Sequence, residues 1–270
     1  MILIIGDEIL DIDERLTTVG QCHESDFRNT AQVTPIVEVE RDSRPGGAAA
    51  VAAMVTALDG HVTLLGNSRC HRQRTHKTRV RLDGRLLYRI DENVTESFAA
   101  DVVRLIANIA VEPSVVLIAS YGKGAVDRIV VEACLARNWR VVANPHHSDD
   151  PAIYADVWAV KCNADEDACQ RYSGGGGLCC VTRGAHGLTI YDRGQSRHMP
   201  ARADEFFDAT GCGDQCLAAI GWQLSLGNDW QSACEWGNLV AGLKCPKPGT
   251  TPVTLAEVQS NVRNEALVTA

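Results

Sequence analysis

The stretch FDATGCGDQCLAAI, residues 207–220, joins a glycine-flanked turn to the start of a helix. Gly211 and Gly213 flank Cys212, and apolar residues then recur at helical spacing through residues 213–226, which predicts a helix with one face in the core. The N-terminus of such a helix presents unpaired backbone N–H groups and a partial positive charge. Because glycine has no side chain, a phosphate could approach this backbone closely.

Asp214 follows these glycines and differs from them in chemistry. A carboxylate beside an anion site repels a phosphate, so Asp214 suits a partner that gives up a proton, such as a hydroxyl that attacks a phosphoryl group. A first-turn aspartate favoured by the helix dipole, after glycines that merely form a turn, explains the stretch alone equally well. The chain has no GxxxxGK[ST] motif, which excludes a P-loop enzyme.

Composition narrows the class of protein. With 270 residues, of which 45% are hydrophobic, the chain can bury a full core. The formal net charge of −8 argues against nucleic acid or an anionic membrane surface as a partner. The 11 cysteines are irregularly spaced, which predicts reduced, mostly buried thiols rather than a disulfide scaffold. The N-terminus turns acidic after five residues and no apolar run could span a bilayer, so we expect a soluble, cytoplasmic protein.

Short apolar runs alternate with helical patterns, which predicts an α/β fold with a mostly parallel sheet covered on both faces. The expected strands are 2–5, 62–65, 115–119, 141–143, 157–160, 178–182 and 188–191, and the expected helices are 48–58, 97–110, 126–137, 213–226, 230–243 and 255–262. Segments 12–44 and 75–92 alternate instead with period two, which predicts a small antiparallel sheet that serves as a lid or an oligomer contact. We expect one domain over residues 1–270, with ligands beyond the carboxyl ends of the parallel strands. The basic run 69–81 could meet a phosphorylated ligand, but we interpret it as a surface loop.

Several motifs resemble those of the ribokinase-like (PfkB) carbohydrate kinases, in the order in which that family has them. DATGCGDQ at 208–215 resembles the D-x-T-G-x-G-D signature; the other matches are IIGDEILDID (4–13), RPGGAAAVAA (44–53), NADE (163–166), VTRGAHG (181–187) and GNLVAGLKCPKPGTTPV (237–253). Within the family, TPIVEVERDSRPGGAA, LLYRIDEN, ASYGKGAV and FDATGCGD are most similar to the kinase domain of bacterial D-glycero-beta-D-manno-heptose-7-phosphate kinases.

The resemblance implies a three-layer α/β/α core with a β lid, and ATP-dependent phosphoryl transfer to a sugar or sugar phosphate. It implies that Asp214 is the general base and that the backbone of Gly211, Cys212 and Gly213 forms an anion hole. Asn163 and Glu166 would hold Mg²⁺ through waters, and a monovalent cation is a further implied ligand. The implied nucleotide-binding residues are Thr182, Gly184, Asn238, Gly249 and Thr250, and the implied substrate-binding residues are Asp11, Gly46, Gly47, Arg89 and Lys123. The resemblance also implies a homodimer formed through the lid.

The chain departs from the family on the substrate side. Ala50 stands where the family has an asparagine that binds substrate hydroxyls, and Ser120 stands where the heptose kinases have an aspartate. The segments that follow Gly66 and the NADE motif are also shorter than in the family. Three functions therefore stay open: a sugar or sugar-phosphate kinase, a nucleoside kinase, and a nucleotide-binding or scaffolding protein with lost activity.

Overall fold

The computed structural model describes residues 1–20, 22–25, 30–33, 36–92, 96–164, 177–203 and 208–268. Its strands are β1 (Ile2–Gly6), β2 (Glu8–Thr18), β3 (Cys22–Ser25), β4 (Thr30–Val33), β5 (Ile36–Gly47), β6 (Val62–Leu65), β7 (Thr75–Leu82), β8 (Arg85–Glu92), β9 (Val115–Ala119), β10 (Val141–Asn144), β11 (Ala159–Asn163), β12 (Leu178–Thr182), β13 (Leu188–Asp192) and β14 (Gln195–Met199). Its α-helices are α1 (Ala48–Ala57), α2 (Ala99–Ala107), α3 (Arg128–Ala136), α4 (Cys212–Ser225), α5 (Trp230–Lys244) and α6 (Leu255–Val268).

The main sheet has eight strands in the order β14-β13-β12-β11-β10-β9-β1-β6. The strands from β6 to β12 in this order are parallel, and β13 and β14 extend the sheet as antiparallel strands. The central strands β1 and β9 are buried along their whole length because they are continuously apolar and covered on both faces. The predicted α/β class with a mostly parallel sheet is confirmed.

Two groups of helices cover the two faces of this sheet. Helices α1, α4 and α5 pack in one hydrophobic cluster with β1 and β9, and α2 and α3 pack in a second cluster on the opposite face. The arrangement is the expected α/β/α core. No helix in the described ranges is long and apolar enough to cross a membrane.

A second sheet has four strands in the order β5-β2-β7-β8, and it contains parts of both segments predicted as the lid. The prediction of an antiparallel sheet is wrong for one pair, because β2 and β7 run parallel. The chain passes through β5, α1 and β6 between these two strands and so returns in the same direction. Residues 75–81 of the basic run lie within β7, so the interpretation of that part as a surface loop is also wrong. We refer to this four-stranded sheet as the lid sheet.

Candidate active site

Polar side chains collect at the carboxyl ends of neighbouring strands of the main sheet. Asp7 follows β1, Tyr121 lies just beyond β9, and Asn144, Asn163 and Thr182 end β10, β11 and β12. The strand registers place these ends at one edge, since Gly6 pairs with Ala119 and Asn163 pairs with Thr182. This is the edge at which parallel α/β sheets bind ligands.

The turn before α4 is held by the carboxylate of Asp208. Its Oδ1 accepts the Thr210 N–H at 2.9 Å and its Oδ2 accepts the Gly249 N–H at 2.8 Å. Burial raises the pKa of Asp208, but these hydrogen bonds outweigh the effect and the pKa is lowered from its ordinary value. The turn ends at Gly211, whose φ of 79° lies in the left-handed region that glycine adopts without strain. The sequence signature thus encodes a rigid entry to the helix.

Two of the three amides predicted to bind an anion at the start of α4 have no acceptor in the described residues. The N–H of Cys212 donates to Ala209 O at 3.1 Å and closes the turn. The N–H groups of Gly211 and Gly213 have no acceptor within the described part of the chain. Of the three amides predicted to form an anion hole, the structure thus gives that of Cys212 a partner within the turn, and the anion hole itself stays a prediction.

Cys212 itself is a partly buried thiol without the character of a nucleophile. Partial burial, together with the thiol of Cys245 at 3.4 Å, raises the pKa of Cys212 to about 12. The helix N-terminus would lower a thiol pKa, but burial dominates here.

Asp214 lies in the first turn of α4, and its carboxylate is partly enclosed. Burial raises its pKa above the ordinary value of 3.8; the Tyr121 hydrogen bond and the Lys161 ammonium act in the opposite direction. The Tyr121 hydroxyl donates to Asp214 Oδ1 at 2.5 Å. Burial and the nearby Asp214 charge raise the pKa of Tyr121 well above its ordinary value, so Tyr121 stays protonated and orients the carboxylate. A raised carboxyl pKa with a fixed orientation suits a general base.

Lys161 is a site residue that the sequence analysis missed. Its side chain is only 2% exposed, and its Nζ donates to Asn144 Oδ1 at 3.0 Å and to Asn163 Oδ1 at 3.2 Å. A Cβ added to Gly213 would lie 3.0 Å from this Nζ, so the ammonium lies directly beside Gly213. A lysine inside the apolar strand AVKCN was the signal that could have identified it.

Asn163 is the described member of the predicted magnesium pair, and Glu166 lies outside the described residues. The Thr182 hydroxyl donates to Asn163 Oδ1 at 2.8 Å, so this oxygen already receives two donors. The described residues contain no group of three or more His, Cys, Asp or Glu that could hold a metal. Magnesium retains several waters when it binds proteins, so this donor set fits a water-mediated contact and not a cage of protein ligands.

A cavity of about 850 Å³ opens on one side of the 208–213 turn. It brings together six of the predicted residues, namely Asn163, Thr182, Gly184, Cys212, Gly213 and Asn238. Asn238 is buried and its Nδ2 donates to Pro200 O at 2.8 Å, so it holds the cavity wall. A cavity of this size accommodates a nucleotide.

A second cavity of about 520 Å³ lies between the lid sheet and the loop that follows α5. The predicted residues Asp11, Gly249 and Thr250 line it, together with Arg44 and Arg79. Gly249 and Thr250 were expected beside the nucleotide with Asn238, yet the structure places them in this other cavity. Thr250 Oγ1 donates a hydrogen bond to Pro45 O at 2.7 Å, which links this loop to the lid sheet.

The predicted substrate-binding residues lie in a network of charges on the lid sheet. Arg79 pairs with Asp11 at 2.9 Å, and Arg89 pairs with Asp91 at 2.8 Å. Lys123 approaches the same Asp91 at 3.5 Å from the loop after β9. The structure thus connects Arg89 and Lys123 through one shared carboxylate.

Lys77 is a second site residue that the sequence analysis did not single out. Burial lowers its pKa, and the carboxylates of Asp11 and Asp91 oppose that shift. Lys77 also lowers the pKa of Asp214, so its ammonium lies within electrostatic range of the candidate base. Its alternation with Arg79 along β7 places both cations on one face of the strand. That alternation in the basic run was the available signal.

Gly46 and Gly47 permit a close crossing of backbone and side chains. A Cβ on Gly46 would lie 2.3 Å from Asp11 Oδ2, and a Cβ on Gly47 would lie 2.4 Å from Asp7 O. Gly47 also has a φ of 58°, which a larger residue rarely adopts. Ala50, in the following helix, is 1% exposed and packs in the core, so this position offers no hydrogen bond to a ligand.

Asp7 is a third missed residue, and it organises the loop after β9. Its buried carboxylate accepts the N–H groups of Tyr121 at 2.9 Å, Lys123 at 3.1 Å and Ala125 at 2.7 Å. Burial raises its pKa although these three hydrogen bonds act to lower it. Asp7 therefore fixes the loop that carries the partner of the candidate base.

Comparisons with known proteins agree with this geometry. Residues 153–256 match the model of the pfkB family carbohydrate kinases. The bifunctional protein HldE of Pseudomonas aeruginosa is 29% identical over 313 aligned residues, which cover 98% of this chain. The chain spans 64% of the length of that relative.

Three solved structures share the fold. A ligand-free nucleoside kinase of Burkholderia thailandensis has a TM-score of 0.72 at 18% identity and covers 96% of this chain and 99% of its own. Phosphofructokinase-2 of Escherichia coli in complex with potassium has a TM-score of 0.72 at 14% identity, with 96% and 97% covered. Ribokinase of Arabidopsis thaliana complexed with ribose and ATP has a TM-score of 0.70 at 14% identity, also with 96% and 97% covered. The ribokinase-like fold is confirmed, and the comparisons agree with the prediction of an enzyme of the carbohydrate kinase class.

Proposed function

Because the chain resembles the pfkB family carbohydrate kinases in sequence and fold, we propose that it is an ATP-dependent phosphotransferase that acts on an alcohol group of a sugar or sugar phosphate. One observation carries the proposal. The Asp214 carboxylate lies at the same helix N-terminus as the backbone N–H groups of Gly211 and Gly213, which have no acceptor in the described part of the chain. A base and an anion site in this arrangement serve in-line transfer of a phosphoryl group to a hydroxyl.

Asp214 accepts the proton of the attacking hydroxyl in this mechanism. Its raised pKa makes it a better proton acceptor than an ordinary carboxylate, and Tyr121 holds the carboxylate in one orientation. The amides of Gly211 and Gly213, with the Lys161 ammonium beside Gly213, stabilise the negative charge on the moving phosphoryl group. These groups are already in place in the folded chain, so little reorganisation accompanies the reaction.

The cavity that contains Thr182, Gly184 and Asn238 is the proposed ATP site. Bound Mg²⁺ would neutralise charge on the ATP phosphates, and Asn163 would hold its waters. The charges of the lid sheet suit a phosphorylated acceptor, since Lys77, Arg79 and Arg89 carry three cations towards the substrate side. For this reason, and because of the sequence resemblance, we propose heptose 7-phosphate as the acceptor to test first.

The family resemblance also bears on the domain organisation, the oligomeric state and the location of the enzyme. We propose a single domain over residues 1–270 whose lid sheet lies within it, and a homodimer formed through that sheet. Val39, Leu86 and Tyr88 are exposed on the lid sheet at 65%, 53% and 52%, which supports an apolar interface. A cytoplasmic location and the absence of nucleic acid and membrane partners stay predictions.

A panel of acceptors tests the proposed function. Purified protein is incubated with ATP, Mg²⁺ and single acceptors: heptose 7-phosphate, heptose, hexoses, hexose phosphates and nucleosides. We expect ADP release and a phosphorylated product with a sugar phosphate, detected by coupled assay and mass spectrometry. Turnover on nucleosides alone would assign the alternative acceptor class. ATP binding with no turnover on any acceptor would contradict the proposal and favour a nucleotide-binding or scaffolding protein.

A further inference from the structure

The family resemblance implies a bound monovalent cation, and the structure shows whether this chain has oxygens that could hold one. Such a cation needs a set of backbone carbonyl and carboxylate oxygens without other partners. The turn after α5, residues 245–251, places backbone carbonyl oxygens next to Asp208 and thus next to the entry of α4. Phosphofructokinase-2 of Escherichia coli, which shares the fold, was solved with potassium. The oxygens of this turn therefore decide whether a cation fits.

Two cations of the protein itself already occupy this turn. Lys244 is fully buried at 0% exposure, and its Nζ donates to Lys247 O at 2.9 Å. Arg44, from the lid sheet, donates from Nη1 to Pro248 O at 2.7 Å and to Thr251 Oγ1 at 2.5 Å. Consecutive carbonyl oxygens of the turn thus have charged donors of their own.

The Lys244 ammonium lies close to the machinery of the site. It lowers the pKa values of Asp208 and Cys212, so its charge is felt on both sides of the turn that precedes α4. The two segments are also joined directly, because Asp208 N–H donates to Cys245 O at 3.1 Å and Gly249 N–H donates to Asp208 Oδ2 at 2.8 Å. A cation placed here fixes the backbone that leads into the anion site.

A buried ammonium needs a reason, because its removal from water is costly unless other groups compensate. Burial indeed lowers the pKa of Lys244, while Asp208 and the thiols of Cys212 and Cys245 oppose the shift. The compensation that the structure offers is the carbonyl of Lys247 and the field of Asp208. An alkyl side chain would fill the same space at lower cost, so the charge itself is the feature to explain.

We propose that Lys244 is an internal cation that replaces the monovalent ion in this chain, holds the 245–251 turn against Asp208, and so positions the amides of Gly211 and Gly213. Lys244 acts through the backbone and is a positioning residue. The proposal deepens the proposed function and rests on it for its effect on turnover, but its structural part is independent of the reaction. The expected consequence is an enzyme that works without potassium.

The first measurement uses the wild-type protein and no substrate. Its thermal unfolding midpoint is compared in potassium chloride and in tetramethylammonium chloride at equal ionic strength. We expect equal midpoints, because no potassium binds the native state. A midpoint that rises only in potassium overturns the proposal, whatever the acceptor of the enzyme proves to be.

The second measurement uses Lys244→Ala, which leaves the space of the ammonium free, with Lys247→Ala as the matched control. Lys247 lies on the same turn, but its Nζ contacts Pro252 O and the carboxylate of Glu257. Without potassium, we expect Lys244→Ala to lose about tenfold in turnover or more, less than removal of a direct donor to the phosphoryl group. We expect potassium to restore turnover and to raise the unfolding midpoint in this variant alone. A turnover and a midpoint of Lys244→Ala that do not respond to potassium, or a control that responds equally, contradict the proposal.

If Lys244→Ala does not fold, Lys244→Ser replaces it, because a serine side chain is also too short to fill the space of the ammonium and carries no charge. A potassium response of Lys244→Ser is expected for the same reason. Its absence contradicts the replacement of an ion by the Lys244 charge. If no turnover is found with any acceptor, the potassium dependence of the unfolding midpoint still tests the structural part.

Discussion

At the scale of single residues, buried charges account for the candidate site. Asp214, Lys161 and Lys77 are ionisable groups that interact electrostatically, and each is partly or wholly withdrawn from water. Burial alone would disfavour all three charges, so their mutual compensation is what keeps a base and two cations at this edge of the sheet. Such a cluster is costly to build and is typical of sites that do chemistry.

The pH dependence of turnover follows from the raised pKa of Asp214. A base must be deprotonated to act, so turnover should fall as the pH drops through a pKa above the ordinary 3.8. Since the folded-state pKa exceeds the unfolded one, stability from this group is present below the unfolded pKa and is lost as the pH rises through the folded pKa. The profile of kcat/KM against pH tests the expected fall of turnover at low pH. A rate that stays constant down to the range of an ordinary carboxyl would exclude Asp214 as the base.

Lys161 should contribute to the transition state and much less to nucleotide binding. Lys161→Met keeps the length of the side chain and removes its charge beside Gly213. We expect kcat to fall about 10²- to 10³-fold, as for loss of an electrostatic stabiliser in other active sites, with ATP binding retained in calorimetry. Arg104→Met, at an exposed ion pair on α2, provides the control. Equal kcat in the two variants would place Lys161 outside the mechanism.

At the scale of elements, the shortened connection between β6 and β7 is held by one buried side chain. Glu8 is 2% exposed; it accepts the Ser68 N–H at 2.8 Å and the Ser68 hydroxyl at 2.7 Å, and it pairs with Arg74 at 3.0 Å. The connection has no helix of its own in the described residues. These contacts from the start of β2 therefore hold the connection between β6 and β7 in place.

Glu8→Gln should destabilise the fold through this connection. The neutral amide loses the ion pair with Arg74 and one of the charged acceptors, so we expect the free energy of unfolding to fall by about 1–3 kcal/mol. Glu40→Gln removes a comparable contact with Arg15 at an exposed site and should cost about 0–1 kcal/mol. Denaturant unfolding of both variants measures the difference. Equal losses would mean that Glu8 does not hold the connection.

The sequence predicted elements best where one physical requirement dominated. Continuous apolar runs identified β1 and β9 because strands buried on both faces need them, and the signature before Asp214 located α4. The exposed strand β14 was not predicted, because its sequence QSRHM lacks an apolar pattern. Lys161 and Asp7 were not predicted as site residues, because their contacts are with partners that only the folded chain brings together. The Cys212 N–H was predicted to contribute to the anion hole, but it donates to Ala209 O within the turn. No sequence pattern indicates that hydrogen bond.

At the scale of the whole molecule, two roles are proposed for the lid sheet. Asp11, Arg79 and Arg89 are proposed to face the substrate, and the exposed apolar residues of the sheet include Val39 and Tyr88. Exposed apolar residues on one sheet are a candidate interface, and an interface here would fix the position of these charges.

Light scattering and sedimentation test the proposed dimer. We expect a dimer for the wild type and a monomer for Tyr88→Glu, because a buried carboxylate at an apolar interface is unfavourable. Val111→Glu, at an exposed apolar residue outside the lid sheet, is the control and should stay a dimer. A monomeric wild type at high protein concentration would contradict assembly through the lid sheet.

The most direct test of the central claim is a single-turnover reaction with ATP labelled at the γ-phosphate, Mg²⁺ and the acceptor identified in the panel, run for the wild type and Asp214→Asn in parallel. We expect transfer of label to the acceptor by the wild type and its loss in Asp214→Asn. We also expect Asp214→Asn to bind ATP as well as the wild type and to unfold at the same or a higher temperature at neutral pH, since an unfavourable buried charge is gone. Transfer of label by Asp214→Asn at the wild-type rate would show that Asp214 is not the base.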